Sequence, residues 1–331
     1  MIAAGERTYS TVLRELAAAD PHIVVLTAEN RAAIRDLPER LGERFVDVGI
    51  CEQTMVGMAA GLALRGRVPV VHALATFLTL RAFEFIRDDV GIAGLPVKLV
   101  GGVPGFLSDA NGPTHQAIED IALMRAIPGM QVVCPADEAE LLDGLPAVLA
   151  SPAPTYIRFN ATRSELAHTP FELGKAELLT EGDDLAVLAA GLLVPQAKAA
   201  ADVLREEGIG VRLTNLRTIV PIDEPAILAA ARACGRLAVV EDHLLAGGIY
   251  QVVCEVLVRH QLSVPVIPMG LDARWFRPAL LPDVLEHEGF SATKLAERFR
   301  QACRQVAPAP WSVPARLAAA ERAGINGRSP S

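Results

Sequence analysis

The chain has 331 residues, more than the roughly 250–300 that one hydrophobic core usually supports, so the sequence predicts two domains. The chain contains no uninterrupted apolar run of about 18 residues, so no membrane span is predicted. Its hydrophobic content of 51% therefore indicates buried subunit interfaces. A net charge of −8 without a basic run argues against a general nucleic-acid binder. The 5 scattered cysteines, and an N-terminus without the apolar core of a signal peptide, favour a cytoplasmic location.

The first half of the chain alternates helices with short apolar strands. Residues 8–19 have helical spacing, and the predicted strands that follow are HIVVLTAE, FVDVGI, the run 68–75, VKLVGG, QVVCPA and TYIRF. The segment TFLTLRAFEFIRDDVGIAG is predicted to form one helix. Apolar strands that alternate with helices are typical of a mostly parallel sheet covered on both faces.

A second alternating pattern follows a polar, irregular stretch. Its predicted strands are LAVLAAG, VRLTNL, RLAVVED and PVIPMG, each followed by a helix. The predicted fold class is therefore α/β, with two doubly wound domains of which the second is smaller. We place the first domain at residues 1–165, a linker at 166–183, the second domain at 184–306 and a Pro-rich tail at 307–331.

One acidic residue, Glu52, stands where a predicted strand turns into a helix. The strand ends near Val48, the chain turns at Gly49, and Glu52 falls in the first turn of the helix. Small residues then leave room for another backbone to approach closely; they are Gly57, Ala59, Ala60, Gly61 and Ala63. Either the carboxylate belongs to an active site, or it only complements the helix dipole.

Several common sites of α/β proteins are absent from the sequence. Neither a GxGxxG dinucleotide fingerprint nor a GxxxxGK[ST] phosphate loop is present. A GxSxG nucleophile elbow and an HExxH zinc motif are absent as well. The sequence therefore argues against these four kinds of chemistry.

Three segments, in order and with sensible spacing, resemble the transketolase family. DVGICEQTMVGMAAGLAL resembles the family's Glu-containing segment, and NGPTHQAIEDIALMRAIPGMQVVCPAD resembles its Gly-Pro-Thr-His-Gln segment. EDHLLAGGIYQVVCEVL is similar to a segment of the family's last domain. The resemblance covers only the pyrimidine-binding and C-terminal domains, and the family's diphosphate-binding domain has no counterpart in this chain.

The resemblance implies a two-component enzyme that uses thiamine diphosphate and Mg²⁺. The metal and the diphosphate would be held mainly by a partner, an N-terminal-half transketolase subunit, and no metal ligand is assigned here. An α2β2 heterotetramer with a sugar-phosphate substrate is the expected assembly, and each half would be inactive alone. The small-residue face after Glu52 would then lie where two subunits meet.

The family's cofactor contacts map onto four residues. Glu52 matches the carboxyl that hydrogen-bonds N1′ of the aminopyrimidine, which makes it both a catalytic and a cofactor-binding candidate. Phe77 matches the aromatic residue stacked on that ring, and Phe83 is a second wall; ordinary core packing is the alternative for both. Glu29 matches an acid near the cofactor.

The family's substrate contacts map onto four further positions. His115 matches the active-site histidine, where an imidazole can accept or donate a proton near neutral pH; a structural histidine is the alternative. Asn111 replaces the family's Asp and offers a neutral amide. Arg158 and Arg7 match two arginines that bind a sugar-phosphate tail, and surface arginines are the alternative.

Three functions are compatible with this resemblance. The first is a transketolase that moves a two-carbon ketol unit between phosphorylated sugars. The second is a decarboxylating transferase like 1-deoxyxylulose-5-phosphate synthase or a 2-oxo-acid dehydrogenase beta chain. The third is an inactive scaffold half, which the joint presence of Glu52, Phe77 and His115 argues against.

Overall fold

The computed structural model of the protein describes residues 7–304, so the predicted tail at 307–331 lies outside the described residues. The helices are α1 Tyr9–Ala19, α2 Leu37–Leu41, α3 Glu52–Leu64, α4 Phe83–Phe85, α5 Asp120–Arg125, α6 Glu138–Ala150, α7 Val194–Glu206, α8 Glu224–Cys234, α9 Ile249–Arg259, α10 Leu281–Glu288 and α11 Ala292–Arg304. The strands are β1 Ile23–Thr27, β2 Phe45–Asp47, β3 Val68–Leu74, β4 Lys98–Gly102, β5 Gln131–Val133, β6 Thr155–Arg158, β7 Glu177–Thr180, β8 Leu185–Ala189, β9 Val211–Asn215, β10 Thr218–Val220, β11 Leu237–Leu244 and β12 Val266–Leu271. Within 7–304, every helix is too short or too polar to cross a membrane.

The first sheet has seven strands in the order β10-β5-β6-β4-β3-β1-β2. All neighbours are parallel except β10, which runs antiparallel to β5. All five residues of β1 are buried, and they alternate between two hydrophobic clusters: Val24 packs with Met55 of α3, whereas Val25 packs with Leu13 of α1. Helices therefore cover both faces, as the continuous apolar strands predict.

The second sheet has five strands in the order β12-β11-β8-β9-β7. Its neighbours are parallel except for β7, which pairs antiparallel with β9. Side chains of β8 alternate in the same way, with Val187 in one cluster and Leu188 in another. The predicted α/β class, with two mostly parallel sheets, is confirmed.

Sequence periodicity did not indicate two of the strands, and one of them, β10, ties the halves together. The segment β7 lies inside the range 166–183 that we predicted as a linker. The segment β10 follows β9 of the second sheet but hydrogen-bonds to β5 of the first, with Thr218 opposite Val133. A shared hydrophobic cluster joins Met124 of α5 to Val253 of α9, so the two halves pack against each other through a continuous apolar contact.

The small residues of α3 differ in their surroundings. Ala59, Ala60 and Ala63 are buried in the core of their own chain, whereas Gly57 is half-buried and Gly61 is exposed. The alanines therefore allow close packing of α3 against its own sheet. The expectation that this whole face meets another subunit was wrong for them, because only the glycine side of the helix remains accessible.

The segment predicted as one helix over residues 76–94 is not a regular α-helix. It contains two π-helical turns, Phe77–Arg81 and Ile86–Gly91, on either side of the short α4. The hydroxyl of Thr79 donates to the carbonyl of Ala75 at 2.8 Å, a side-chain bond that competes with the helix ladder. π-turns of this kind are frequent at functional sites.

A buried ionic cluster lies between the two halves of the chain. Arg217, after β9, lies 2.5 Å from Glu140 of α6 and 2.7 Å from Glu177 of β7. His168 faces Asp137 at 3.1 Å and Glu177 at 2.8 Å, and its side chain is 8% exposed. Burial alone would lower the pKa of His168, but its hydrogen bonds to Asp137 and Glu177 and the charge of Glu140 raise that pKa to about 10.

We expect this cluster to make stability depend on pH in the alkaline range. Because the pKa of His168 is raised from 6.5 to about 10 on folding, its contribution is complete below pH 6.5 and is lost as the pH rises to 10. Urea unfolding of the wild-type chain and of His168→Gln should therefore converge in free energy as the pH increases. A difference between the two proteins that stays constant from pH 6.5 to 10 would contradict this assignment.

Candidate active site

Glu52 is held at the start of α3 by the turn that leads out of β2. Gly49 has φ of 73°, a left-handed conformation that glycine adopts without strain. Asp47 fixes the turn, since its Oδ1 accepts from the backbone N–H of Gly49 at 2.9 Å and of Glu29 at 3.2 Å. Glu52 is the first residue of α3 and is only 2% exposed. A carboxylate is therefore buried at the positive end of a helix.

An aromatic ring and an imidazole lie next to each other near this turn. Phe77 begins the first π-turn, directly after β3, and is half-buried. His115 ends the short 3-10 turn Pro113–His115. The two rings have centroids 5.1 Å apart and an interplanar angle of 66°, an edge-to-face contact. The imidazole Nδ1 also lies 3.0 Å from the hydroxyl of Thr114, so its orientation is constrained on both sides.

Arg81 connects these groups and was not among the predicted site residues. Its Nη1 donates to Glu52 Oε2 at 2.8 Å, and its guanidinium carbon lies 4.2 Å from the centroid of the Phe77 ring. Glu52, Arg81, Phe77 and His115 thus form one continuous chain of contacts, which we call the site cluster. The available signal was a cation four residues after Phe77, between the apolar residues Leu80 and Ala82.

The site cluster offers the two contacts that the resemblance implies for an aminopyrimidine ring. Glu52 offers a buried hydrogen-bond acceptor and Phe77 offers a flat apolar face, and the planar guanidinium of Arg81 engages both. A planar N–H donor can therefore contact the two residues together, which is what an aminopyrimidine requires. Among the described residues, the group spaced to hold a metal ion is Glu140, His168 and Glu177, which belongs to the buried ionic cluster and is bridged by Arg217.

Four other predicted site residues lie outside the chain of contacts that forms the site cluster. Phe83 is half-buried and packs against the large hydrophobic cluster of the first sheet. Glu29 is exposed after β1, with φ of 58°. Asn111 is exposed, and its Nδ2 donates to the carbonyl of Ser108 at 2.9 Å, so its donor face stabilises its own loop. Arg7 is exposed just before α1.

Arg158 is buried and paired with carboxylates of its own chain. It is 4% exposed at the end of β6, and its Nε donates to Asp120 Oδ2 at 3.0 Å. Its Nη1 pairs with Asp242 of β11, and its Nη2 donates to the carbonyl of Asp242 at 3.1 Å. Both carboxylates raise the pKa of Arg158 well above its usual range against the opposing effect of burial. In the described chain every nitrogen of Arg158 is engaged by an internal partner, and its contact with a sugar-phosphate tail stays a prediction.

The backbone at Gly105 packs directly against the buried ion pair of Arg158 and Asp242. Its φ is 53°, and a Cβ atom there would lie 1.9 Å from Asp242 Oδ2 and 2.5 Å from Arg158 Nη2. The next backbone N–H, that of Phe106, donates to Asp242 Oδ2 at 3.2 Å. The close approach requires glycine, and it brings the loop that carries His115 against the second domain.

Two doubly wound α/β domains, with a buried acid at a strand-to-helix turn of the first, agree with the class that the resemblance implies, the pyrimidine-binding half of a thiamine-diphosphate-dependent enzyme. Residues 4–166 match the family model described as "Transketolase, pyrimidine binding domain", and residues 174–295 match "Transketolase, C-terminal domain". The chain belongs to the transketolase family, whose members use thiamine diphosphate.

Similar proteins of two lengths match this chain. It is 39% identical over 293 residues to "6-deoxy-6-sulfo-D-fructose transketolase subunit SqwH" of Clostridium sp. (strain MSTE9), covering 87% of this chain and 91% of that protein. It is 32% identical over 300 residues to "Putative transketolase C-terminal section" of Methanocaldococcus jannaschii, covering 88% and 94%. It is 36% identical over 303 residues to the 1-deoxy-D-xylulose-5-phosphate synthase of Synechococcus sp. (strain JA-2-3B'a(2-13)), covering 89% of this chain but 46% of the synthase.

A solved structure also matches this chain along nearly its whole length. "Split gene transketolase, inactive beta4 tetramer" superimposes with a TM-score of 0.80 at 33% identity, covering 89% of this chain and 96% of that one. The chain therefore corresponds to the C-terminal half of a transketolase-like protein.

Proposed function

We propose that this chain is the pyrimidine-binding component of a two-subunit, thiamine-diphosphate-dependent transketolase that transfers a two-carbon ketol unit between anionic sugars. The observation that carries the proposal is the site cluster, which brings a buried carboxylate, a flat aromatic face and an imidazole together at one edge of the first sheet. Bound thiamine diphosphate supplies a carbon nucleophile and an electron sink, which no side chain provides.

In this proposal, Glu52 holds and exchanges a proton at the pyrimidine nitrogen N1′. The residue is fixed by α3 and excluded from water, so water does not compete for the hydrogen bond that its carboxyl group makes. Phe77 orients the ring by stacking. These two contacts would hold the ring in one orientation when the cofactor is bound.

His115 moves a proton at the substrate hydroxyl in this proposal. Its edge-to-face contact with Phe77 and its Thr114 contact fix the direction of the imidazole. Asn111 lies on the same loop, and because its amide nitrogen is bonded to Ser108, its amide oxygen is the group left to accept from a substrate hydroxyl. An amide acceptor in place of a carboxylate favours a substrate whose polar groups differ from those of the common ketose donors.

A second subunit completes the site in this proposal. Relatives that match along 91% and 94% of their own length are named as a transketolase subunit and a transketolase C-terminal section. The name of the split-gene structure describes a tetramer of its beta chain as inactive. We therefore propose an N-terminal-half partner that binds the diphosphate and Mg²⁺, and an α2β2 assembly.

Reconstitution tests this directly. The chain alone, supplied with thiamine diphosphate and Mg²⁺, is expected to show only background ketol transfer, and addition of a candidate N-terminal-half protein should produce saturable activity. The readout is transfer from a ketose phosphate or ketose sulfonate to an aldose acceptor. Full activity of the chain without a partner would exclude the two-subunit proposal.

A decarboxylating transferase is the second candidate, favoured by 36% identity to 1-deoxy-D-xylulose-5-phosphate synthases over about half of their length. The same reconstituted complex distinguishes the two functions when it is offered pyruvate with glyceraldehyde 3-phosphate. Release of CO₂ without ketol transfer would replace the first proposal by the second. An inert complex that still binds its partner would instead indicate a scaffold.

A further inference from the structure

Arg81 makes, with Glu52 and Phe77, the same two kinds of contact that an aminopyrimidine would make with them. It donates a hydrogen bond to the buried carboxylate at 2.8 Å and lies over the aromatic ring at 4.2 Å. A guanidinium is planar, positively charged and rich in N–H donors. A pyrimidine that carries a proton on its ring nitrogen is also a planar N–H donor. The two groups are therefore alternative occupants of one place.

The surroundings of the two residues oppose simultaneous occupancy. Phe77 is half-buried and already has the His115 ring at 5.1 Å, which restricts where a second planar group can stack. Glu52 is 2% exposed and fixed at the first residue of α3, and its Oε2 already accepts from Arg81. The Arg81 side chain is 39% exposed and has solvent into which it can move. Arg81 is the mobile member of the three.

We infer that Arg81 is a displaceable placeholder for the pyrimidine ring: it pairs with Glu52 and covers Phe77, and it moves into solvent when the cofactor binds. This inference rests on the proposed function, because it takes Glu52 and Phe77 as cofactor contacts. The arrangement provides the buried carboxylate with a counter-charge when no pyrimidine is present, since an unpaired buried carboxylate is costly. It also weakens cofactor binding, because the ion pair and the cation–π contact must first be broken.

The test is the dissociation constant of thiamine diphosphate for the reconstituted complex, measured by titration calorimetry with Mg²⁺ present. Arg81→Met keeps an unbranched apolar stem but removes the competing donor and charge. We expect binding to become about tenfold tighter, equivalent to about 1.4 kcal/mol. Binding that is unchanged or weaker in Arg81→Met overturns the inference. If Arg81→Met does not fold, Arg81→Leu provides the same comparison, because leucine also lacks the donor and the charge.

A matched control and a double mutant distinguish displacement from a general effect. Arg87→Met removes a cation from the second π-turn, where Arg87 pairs with Asp88, and its dissociation constant should equal that of the wild type. In a Glu52→Gln background, Arg81→Met should tighten binding by a smaller factor, because the ion pair is already lost. An equal factor in both backgrounds would contradict competition at Glu52.

The outcome for the wild type separates this inference from the proposed function. A wild-type complex that binds no thiamine diphosphate excludes the proposed function and with it the role of Arg81. A wild-type complex that binds and transfers ketol units, with an Arg81→Met variant that binds no more tightly, excludes only the placeholder. A purely structural arginine would lower the melting temperature of the variant without improving its affinity for the cofactor.

Discussion

Replacing Glu52 with glutamine is expected to lower ketol transfer by the reconstituted enzyme by about 10²–10⁴-fold, the range typical for loss of a positioned proton-transfer group. Glutamine has the shape and hydrogen-bonding reach of glutamate, so the start of α3 should be preserved. Its amide cannot exchange a proton with a pyrimidine nitrogen. The measurement is steady-state turnover with saturating cofactor, so that weakened binding does not account for the loss.

The proper control for Glu52→Gln is a glutamate at an equivalent helix position. Glu39 lies in the first turn of α2 but is exposed, and Glu39→Gln should keep wild-type turnover. Both positions complement a helix dipole, a contribution of about 0.3–1 kcal/mol. If Glu52→Gln retained near-normal turnover, Glu52 would have only the dipole role, and the proposed chemistry would be excluded. Circular dichroism of both variants should match the wild type.

Local sequence patterns were sufficient to predict the alternation of strands and helices. The strands β1, β3 and β8 are continuous apolar runs because both of their faces are covered, and that pattern is visible without knowledge of their neighbours. Glu52 was found at the start of α3 because a strand, a glycine turn and a helix follow one another in the sequence. These features depend on residues that are close together along the chain.

Features that depend on distant partners were not predictable in this way. The strand β10 has only three residues, and its partner β5 belongs to the other half of the chain. The strand β7 begins with Glu177, whose carboxylate is buried because Arg217 pairs with it. A short polar strand of this kind has the composition of a linker, and only its tertiary contacts make it part of a sheet.

The candidate site shows the same division between local and distant information. The resemblance indicated Phe77 and His115 individually, but it did not indicate that their rings touch or that Arg81 joins them to Glu52. The internal partners of Arg158 were not foreseen, because an arginine at the end of a buried strand has the same sequence appearance whether its partner is a ligand or an internal carboxylate. Its partners Asp120 and Asp242 are 38 and 84 residues away in the sequence.

Replacing Arg158 with methionine is therefore expected to destabilise the chain rather than to change substrate affinity alone. The substitution leaves Asp120 and Asp242 buried without their cation, and loss of one partner of a buried ion pair typically costs about 3–5 kcal/mol. The measurement is the free energy of unfolding in urea. As a control, Arg14→Met removes a partly exposed cation 3.8 Å from Asp36 and should cost less than about 1 kcal/mol.

The pH dependence of the unfolding free energy of Arg158→Met tests this role more sharply than a measurement at one pH. Burial raises the pKa of Asp242, and Arg158 opposes that increase, so removal of the arginine should raise the pKa further. A carboxyl group whose pKa is raised on folding favours the folded state at low pH and loses that contribution as the pH rises through the folded-state pKa. The deficit of Arg158→Met should thus be larger at pH 7 than at pH 5. A deficit below about 1 kcal/mol at both pH values, together with a raised KM for an anionic sugar, would instead return Arg158 to the substrate site.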